Sequence, residues 1–516
     1  MRFWLLLFSA FTALTAGSQS LFNAQLNPLL DSTQKPFYFG VASGDPQADK
    51  VIIWTKVWPD ELKPIQVKWL VATDTAMANL ADSGIAVTDS NSAYTVKVTA
   101  GNLKPHTTYF YRFEYAGKFS PIGRTKTAPV NSDALKFAVV SCQHYEQGYY
   151  NAYGIIANQP DLDAVIHLGD YIYEYGAYTK KPKHSVRPHV PDHEIVSLQD
   201  YRTRYAQYRC DKDLQEAHRL FPFITEWDDH EFANDAYKEG AKNHQSTEGP
   251  WEAREANAKK AYFEWIPITD NAKNSVIRKI SYGNLAELFM LDTRVEARCI
   301  QVTSPQDTML SCVTRTILGK EQTEWLTAGV ERSQARWKIL ANQVVFSELD
   351  AHQLSKKHAM NPDAWDGYPE ERKEILDSFY QHNVKNVLVI TGDIHLSWAF
   401  DLVENPKDKN RYDRKTGKGV IGAEFVTPSI STNGIGEKFP HGLAKIIGSI
   451  VKRNSTNPHL RFQNLIDHGF VLLDLNKERA NATWYFCKTI MKHSLKYSAK
   501  NSWSTRYNDN RLVREK

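Results

Sequence analysis

The sequence lacks the features that mark nucleic-acid-binding, membrane-spanning and repeat proteins. Its 516 residues carry 63 Lys and Arg against 59 Asp and Glu, and a formal net charge of +4 is too small to attract a polyanion. Beyond the N-terminus no apolar run could cross a bilayer, and no repeat or low-complexity tract is present. We expect a folded chain of more than one domain, with no nucleic-acid site, stable membrane span or protein partner evident.

Cysteine is also scarce, at five residues. An odd number in an exported protein leaves at least one thiol unpaired unless it bonds another chain. Cys299 and Cys312 flank a short polar loop and could close a disulfide, although the sequence does not fix the geometry that such a bond needs. Cys142 ends an apolar run and requires a separate explanation.

The first twenty residues have the pattern of a secretory signal peptide. Arg2 precedes an apolar run over 3–16, and small and polar residues follow at 17–20. A buried first helix is the alternative, but the order of charge, apolar run and small residues favours export. We therefore predict a signal peptide over 1–20 and a secreted or periplasmic protein.

Short alternating segments fill residues 36–129 and predict a small β-sandwich. Residues 51–55, 66–70 and 94–98 are typical strands separated by turn residues. The segment 103–112 resembles the tyrosine corner of a fibronectin-like or immunoglobulin-like sandwich. This domain carries no visible chemistry.

The pattern changes after a polar connector at 128–134. Buried strands alternate with helical stretches over 135–490, which predicts an α/β layered domain, and 491–516 is left as a C-terminal tail. The predicted strands are 136–140, 163–168, 288–291, 337–340 and 386–391.

Polar residues gather directly after these buried strands. The four segments are Ser-Cys-Gln-His at 141–144, Gly-Asp-Tyr-Ile-Tyr at 169–173, Asp-Asp-His-Glu at 228–231 and Gly-Asp-Ile-His at 392–395. Open α/β sheets place their sites at the carboxyl ends of strands, and Asp, His, Tyr and Cys offer oxygen, nitrogen and sulfur to metals. Each segment alone is more often a turn or a packed residue. All four together predict a metal site.

The ordered set Gly-Asp-x-x-Tyr, Asp-Asp-His-Glu and Gly-Asp-x-His resembles the metallophosphoesterase superfamily. Further stretches resemble its alkaline phosphatase D branch, over about 37–475. They are Gly-Val-Ala-Ser-Gly-Asp-Pro at 40–46, Leu-Asp-Thr-Arg at 291–294, Leu-Gly-Lys-Glu-Gln at 318–322, Asp-Ala-Trp-Asp-Gly-Tyr-Pro at 363–369 and Glu-Phe-Val-Thr-Pro-Ser at 424–429. The resemblance implies a two-sheet αββα sandwich and the hydrolysis of small or extracellular phosphate esters.

The resemblance also implies a ferric ion beside calcium ions. Cys142, Asp170, Tyr173 and His395 would surround the iron, with Asp170 bridging towards calcium and Asp393 as another calcium ligand. These donors suit the two ions, because Fe³⁺ takes hard oxygens and deprotonated sulfur while Ca²⁺ takes oxygens. Zinc or manganese in place of iron and calcium is the alternative.

Two departures from the family pattern concern Asp229 and the signal peptide. Asp229 stands where relatives carry Asn, so we expect a contact to a metal or to its ligands there, with Asp228 or Asn234 as substitutes. The adjacent His230 would hydrogen-bond the phosphoryl group or leaving oxygen; a purely structural role is the alternative. Family members often carry a twin-arginine signal, whereas only Arg2 precedes the apolar run here, which indicates general secretion.

The mechanism implied is in-line attack on phosphorus by a hydroxide that the metals activate, without a serine nucleophile. A non-enzymatic extracellular binding or adhesion protein built on the β-sandwich is the alternative, and it leaves the residues at the strand ends unexplained.

Overall fold

The computed structural model of the protein describes residues 26–178, 185–352, 360–453 and 455–515. The signal peptide predicted for residues 1–20 lies outside these ranges. Up to residue 129 the strands are β1 (Val41–Gly44), β2 (Val51–Lys56), β3 (Ile65–Ala72), β4 (Leu80–Thr88), β5 (Thr95–Ala100), β6 (Thr108–Tyr115), β7 (Lys118–Phe119) and β8 (Gly123–Lys126). From 134 to 290 they are β9 (Ala134–Val140), β10 (Ala164–Leu168), β11 (Pro222–Glu226), β12 (Ala236–Tyr237), β13 (Gly240–Ala241), β14 (Arg278–Tyr282) and β15 (Ala286–Met290).

The remaining strands and the helices complete the described elements. The strands are β16 (Trp337–Asn342), β17 (Val387–Thr391), β18 (Ser397–Leu402), β19 (Gly422–Val426), β20 (Leu460–Asn464), β21 (Gly469–Asn476), β22 (Arg479–Cys487), β23 (Tyr497–Arg506) and β24 (Leu512–Arg514). The helices are α1 (Asn151–Ala157), α2 (Leu198–Tyr208), α3 (Lys212–Leu220), α4 (Trp251–Trp265), α5 (Gly319–Arg332), α6 (Pro369–Gln381), α7 (Ile435–Lys438) and α8 (His441–Arg453). Within the described ranges, no helix is both long and apolar enough to span a membrane.

Two large sheets pack face to face. The first has the order β24-β23-β22-β21-β9-β10-β11-β1-β2-β5, and the second has the order β14-β15-β16-β17-β19-β18-β20. Apolar side chains from both sheets, such as Ile166, Ile339 and Leu473, form the buried layer between them. Helices α1 to α4 cover the outer face of the first sheet, and α5, α6 and α8 cover that of the second. The predicted αββα arrangement is confirmed.

The N-terminal β-sandwich shares a sheet with the larger α/β domain. A separate five-stranded sheet of β4, β3, β6, β7 and β8 packs over β1, β2 and β5. Strand β1 pairs in parallel with β11 of the first large sheet. The predicted tyrosine corner is present, because the Tyr109 hydroxyl accepts a hydrogen bond of 2.8 Å from the backbone N–H of Lys104. The sandwich is therefore an extension of the large sheet at its edge.

The segment 491–516 is not a tail, contrary to the sequence-based expectation. Tyr497–Arg506 and Leu512–Arg514 form β23 and β24, which complete one edge of the first large sheet. β23 is half exposed and polar, so it lacks the apolar run by which the central strands were predicted. The disulfide considered for Cys299 and Cys312 is absent too, since all five cysteines are free thiols.

A buried ion pair ties the sandwich to the second sheet. Asp45 follows β1 with a left-handed φ of 43°, and its carboxylate accepts hydrogen bonds from Arg278 of β14 at 2.7 and 3.0 Å. The backbone N–H of Thr269 donates to the same carboxylate at 2.8 Å. The Gly-Asp-Pro motif at 44–46 therefore has a structural role.

We expect Asp45→Ala to lower the free energy of unfolding by about 3 kcal/mol, because it leaves a buried guanidinium without its partner. Urea unfolding followed by circular dichroism measures the loss. Glu61→Ala is the control, since it removes an exposed carboxylate that pairs with Lys63 at 2.6 Å, and it should leave the unfolding midpoint unchanged. Equal stability of the two variants would contradict the structural role of Asp45.

Candidate metal centre

The loops that follow parallel strands of both sheets meet in one buried site. Loops after β9, β10 and β11 come from the first sheet, and loops after β15 and β17 come from the second. This convergence follows from the topology, because the carboxyl ends of parallel strands lie at one edge of a sheet. The polar segments predicted from the sequence occupy these loops.

Four of the predicted ligands have left-handed backbone conformations. The φ angles are 59° at Cys142, 57° at Asp170, 61° at Asp393 and 57° at His395. Such a conformation costs a residue other than glycine about 1–2 kcal/mol, so it persists where the surroundings hold it. Gly169 shares it at φ 89°, and a β-carbon there would lie 2.4 Å from the backbone N of Asp228.

The first cluster contains the four residues that the resemblance assigns to iron. Ligand atoms of Cys142, Asp170 and His395 all lie within 4.8 Å of one another. The Tyr173 hydroxyl donates to Asp170 Oδ2 at 2.7 Å and lies 3.4 Å from His395 Nε2. Cys142, Asp170 and Tyr173 are buried, and His395 is partly buried. Thiol, phenol, carboxylate and imidazole donors thus converge on one point.

Neighbouring groups hold these donors in place. His395 Nδ1 donates to the carbonyl of Asn433 at 3.2 Å, which leaves Nε2 directed at the cluster. The Thr432 hydroxyl lies 2.7 Å from the carbonyl of Cys142 and 2.8 Å from the Tyr173 hydroxyl. The segment after β19 therefore orients donors from both sheets.

The electrostatics of the cluster favour a cation. Burial raises the pKa of Asp170 well above its usual value, and burial together with the Asp170 charge raises the pKa of Cys142 and of Tyr173. Burial lowers the pKa of His395 to about 3, so this imidazole is neutral. A bound cation would stabilise the deprotonated acids, and the neutral imidazole is already in the form that binds metals.

Two further clusters adjoin the first. Asp170, Asp229 and His230 have ligand atoms within 4.8 Å of one another, as do Asp228, Asp229 and Asp393. Asp170 therefore belongs to the first and second clusters, and Asp229 belongs to the second and third. Shared carboxylates of this kind suit a site for more than one ion.

Asn234, considered as a substitute for Asp229, lies in a supporting position. Its backbone N–H donates to Glu174 Oε1 at 2.8 Å, and its side-chain oxygen accepts from the Tyr175 hydroxyl at 3.0 Å. Asp228 begins a short turn over Asp229–Glu231, and its backbone N–H donates to Glu231 at 2.7 Å. Glu231 also accepts from the backbone N–H of Asp170 at 3.0 Å, so it joins the loops after β10 and β11.

His230 is held by a carboxylate that the sequence did not single out. Its Nδ1 donates to Glu174 Oε2 at 2.6 Å, and Asn243 donates to Glu174 Oε1 at 2.8 Å. Burial lowers the pKa of His230, but the charges of Glu174, Asp229 and Asp170 outweigh burial and raise it well above its usual value. Burial likewise opposes ionisation of Glu174, yet His230 and its other partners lower its pKa to about 2. His230 therefore carries a proton in this arrangement.

A buried arginine lies among the acidic residues. Arg294 Nη2 is 2.8 Å from Asp393 and 3.5 Å from Asp229, Nη1 is 2.8 Å from Asp363, and Nε donates to Asp228. Burial alone would lower the pKa of Arg294, and the four carboxylates raise it well above its usual value. Arg298 also pairs with Asp363 at 2.7 Å. Arg294 therefore neutralises part of the negative charge of the third cluster.

We expect Arg294→Met to lower the free energy of unfolding of the metal-free protein by about 3 kcal/mol, because buried carboxylates lose their partner. Added metal ions should restore part of this stability, since they would return positive charge to Asp228, Asp229 and Asp393. Urea unfolding with chelator and with added ions measures both effects. Arg479→Met, on the exposed end of β22, is the control. A variant as stable as the parent protein would contradict this role.

From the sequence, none of Glu174, Asp363 and Arg294 is predicted as a site residue. Asp363 and Arg294 lie in motifs that resemble the family, but 69 residues separate them, and no local pattern reveals their contact. Glu174 directly follows Tyr173, so its proximity to the site could be read from the sequence. Its pairing with His230, 56 residues away, could not.

Comparisons with known proteins show which family this chain belongs to. The family model described as PhoD-like phosphatase matches residues 137–484, and the model of its N-terminal domain matches residues 24–129. Alkaline phosphatase D of Bacillus subtilis (strain 168) is 38% identical over 469 residues, which cover 87% of this chain and 77% of the relative.

Solved structures show the same fold. A structure titled as that of PhoD superimposes with a TM-score of 0.84 at 34% identity and covers 94% of this chain and 93% of its own. The purple acid phosphatase PPD1 from yellow lupin seeds has a TM-score of 0.57 at 14% identity, covers 91% and 74% of the two chains, and shares the fold. The chain therefore belongs to the PhoD-like phosphatase family, and it is a phosphoric ester hydrolase rather than the non-enzymatic binding protein that the sandwich alone would have allowed.

Proposed function

We propose that the chain is an exported, metal-dependent phosphoric ester hydrolase that uses water as its nucleophile. The proposal rests on three adjacent clusters of metal-ligating side chains. Asp170 is common to the first and second clusters, and Asp229 is common to the second and third. Sites of this kind hold ions on both sides of a phosphoryl group. A serine nucleophile is not part of the proposal.

The proposed ligands of Fe³⁺ are Cys142, Asp170, Tyr173 and His395. The proposed ligands of Ca²⁺ are Asp170, Asp229 and Asp393, with Asp228 close by. The donors of the first set include a thiol and a phenol, which favours ferric iron over zinc or manganese, and the second set is made of carboxylates. Bound ions would lower the pKa of a water molecule for in-line attack and stabilise the negative charge on the phosphoryl and leaving oxygens.

His230 is the proposed catalytic residue of the chain itself. Its Nδ1 is taken by Glu174, so only Nε2 is available to a phosphate ester. Glu174 stabilises the protonated form of His230, in which Nε2 carries an N–H. This N–H would give its proton to the leaving oxygen or donate a hydrogen bond to the phosphoryl group. Glu174 thus positions His230 and sets its charge, without contacting the ester.

Hydrolysis of p-nitrophenyl phosphate and its bis-ester in ¹⁸O-labelled water tests the proposal. We expect chelator-sensitive activity and incorporation of one labelled oxygen into the phosphate product in a single turnover. A phosphorylated protein intermediate, or activity that survives complete removal of metals, would contradict it. The relative rates of hydrolysis of the two compounds show whether the protein prefers phosphate monoesters or diesters.

Export is proposed from residues 1–20, whose order of charge, apolar run and small residues supports a general secretory signal. Expression of the full chain followed by cell fractionation tests it. A processed protein outside the cytoplasm is expected, and an unprocessed cytoplasmic protein would contradict export.

A further inference from the structure

Helix α8 exposes a stripe of apolar side chains. Leu443, Ile446 and Ile450 are 44%, 58% and 40% exposed, and Phe439, just before the helix, is 44% exposed. Leu443, Ile446 and Ile450 lie at positions i, i+3 and i+7, so they share one side of α8. The helix follows the segment that contains Asn433, whose carbonyl accepts from His395.

The exposed stripe is not the side by which α8 packs on the protein. Ala444, Gly448 and Val451 are the buried residues of the helix, and they face the second sheet near β20. The packing is close, because a β-carbon on Gly448 would lie 2.3 Å from Gln463 Oε1. Ala444, Gly448 and Val451 thus fix the helix to the sheet, and Ile447 is partly buried against the same core. The apolar side chains of the stripe stay outside this contact.

The segment around the stripe is basic. Residues 438–466 contain no Asp or Glu, and they contain Lys438, Lys445, Lys452 and Arg453. A further arginine, Arg461, is buried and paired with Asp401 at 2.7 Å. The acid that precedes them, Glu437, is already engaged by His468 at 3.0 Å and by the backbone N–H of Gly434 at 2.8 Å.

The surroundings of α8 add positive charge. Burial together with the neighbouring guanidinium groups of Arg414 and Arg514 lowers the pKa of Lys452. Cations near one another in this way are stabilised by an anionic partner. The apolar stripe and the basic residues together describe a surface that complements a negatively charged and partly apolar one.

We propose that α8 docks the protein on an anionic lipid surface. The apolar stripe would enter the boundary between headgroups and acyl chains, and the lysines would contact lipid phosphates from the polar side of the helix. A second copy of the chain fits less well, because it would bring two basic segments together. This docking goes beyond ester hydrolysis and does not depend on it.

Vesicle co-sedimentation with the full mature chain tests the docking. We expect binding to vesicles of phosphatidylglycerol and phosphatidylcholine in equal parts, weaker binding to phosphatidylcholine alone, and loss of the difference in high salt. The double variant Ile446→Ser and Ile450→Ser should weaken binding about tenfold or more, because it removes buried apolar area at the interface.

The matched control is the double variant Ile85→Ser and Val87→Ser on β4, where the side chains are 65% and 68% exposed. It should bind vesicles like the parent protein. Both variants should keep the parent's melting temperature and hydrolysis of soluble esters, which reports on the proposed function separately from binding.

Three results would overturn the docking. The first is the absence of binding to phosphatidylglycerol vesicles by the intact protein. The second is an equal loss of binding in both double variants. The third is sedimentation velocity that shows a dimer abolished only by the α8 variant, without vesicle binding, since that would make the stripe a contact between copies.

Discussion

Asp170→Asn is expected to remove the bound ions and reduce kcat/KM by about 10⁴-fold or more. Asp170 belongs to two of the three clusters, and its carboxylate also accepts from Tyr173 at 2.7 Å. An amide keeps the shape but loses the negative charge that two cations would share. Metal content by mass spectrometry and hydrolysis of p-nitrophenyl phosphate measure the two losses.

The metal-free fold should tolerate this change. Burial raises the pKa of Asp170 well above its usual value when no cation is bound, so asparagine removes a charge that the buried site disfavours. Asp401→Asn is the matched control, because it alters a buried carboxylate that pairs with Arg461 at 2.7 Å and lies outside the three clusters. The control should keep its ions. An Asp170→Asn protein with full metal content and activity within tenfold of the parent would contradict the shared-ligand role.

Glu174→Gln is expected to lower kcat by about 100-fold, within the range for loss of general acid catalysis, while the metal content stays unchanged. The carboxylate holds His230 Nδ1 at 2.6 Å and is the largest influence raising the pKa of that imidazole. With a neutral amide in its place the pKa of His230 falls. His230 then loses its proton at a lower pH, so the alkaline limb of the kcat profile should move to lower pH.

Glu194→Gln is the matched control for this experiment. Glu194 accepts from the same Asn243 amide at 3.1 Å and pairs with Arg254 at 2.9 Å, but it makes no hydrogen bond to His230. Its pH profile should match that of the parent protein. A Glu174→Gln variant with an unshifted profile and normal kcat would show that Glu174 is only a structural residue.

The sequence predicts the central strands well because they are buried on both faces. The predicted strands 163–168 and 386–391 contain the apolar runs 164–166 and 387–390, and the structure has β10 at Ala164–Leu168 and β17 at Val387–Thr391. Strand β23, which lies next to the edge strand β24, escaped prediction because most of its side chains are polar and are exposed or half exposed. Continuity between the sandwich and the large sheet also escaped it, since the β1–β11 pair joins segments about 180 residues apart.

The site also combines residues that the local sequence reveals with residues that only long-range contacts reveal. Cys142, Asp170 and His395 could be selected because each lies in the loop after a buried strand, and such loops meet by topology. Arg294 and Glu174 act through contacts to residues distant in sequence, so only the folded chain reveals them. Arginine and glutamate side chains are usually exposed, so the sequence alone does not predict that these two are buried.

Metal analysis combined with a visible spectrum, on protein purified without chelator, tests whether the three clusters hold iron and calcium. We expect iron and calcium in stoichiometric amounts, with a tyrosinate charge-transfer band that Tyr173→Phe abolishes. Zinc or manganese without colour would leave the hydrolase but contradict the ligand set of Cys142, Asp170, Tyr173 and His395. Protein that binds no metal and yet hydrolyses phosphate esters would contradict the metal-dependent mechanism itself.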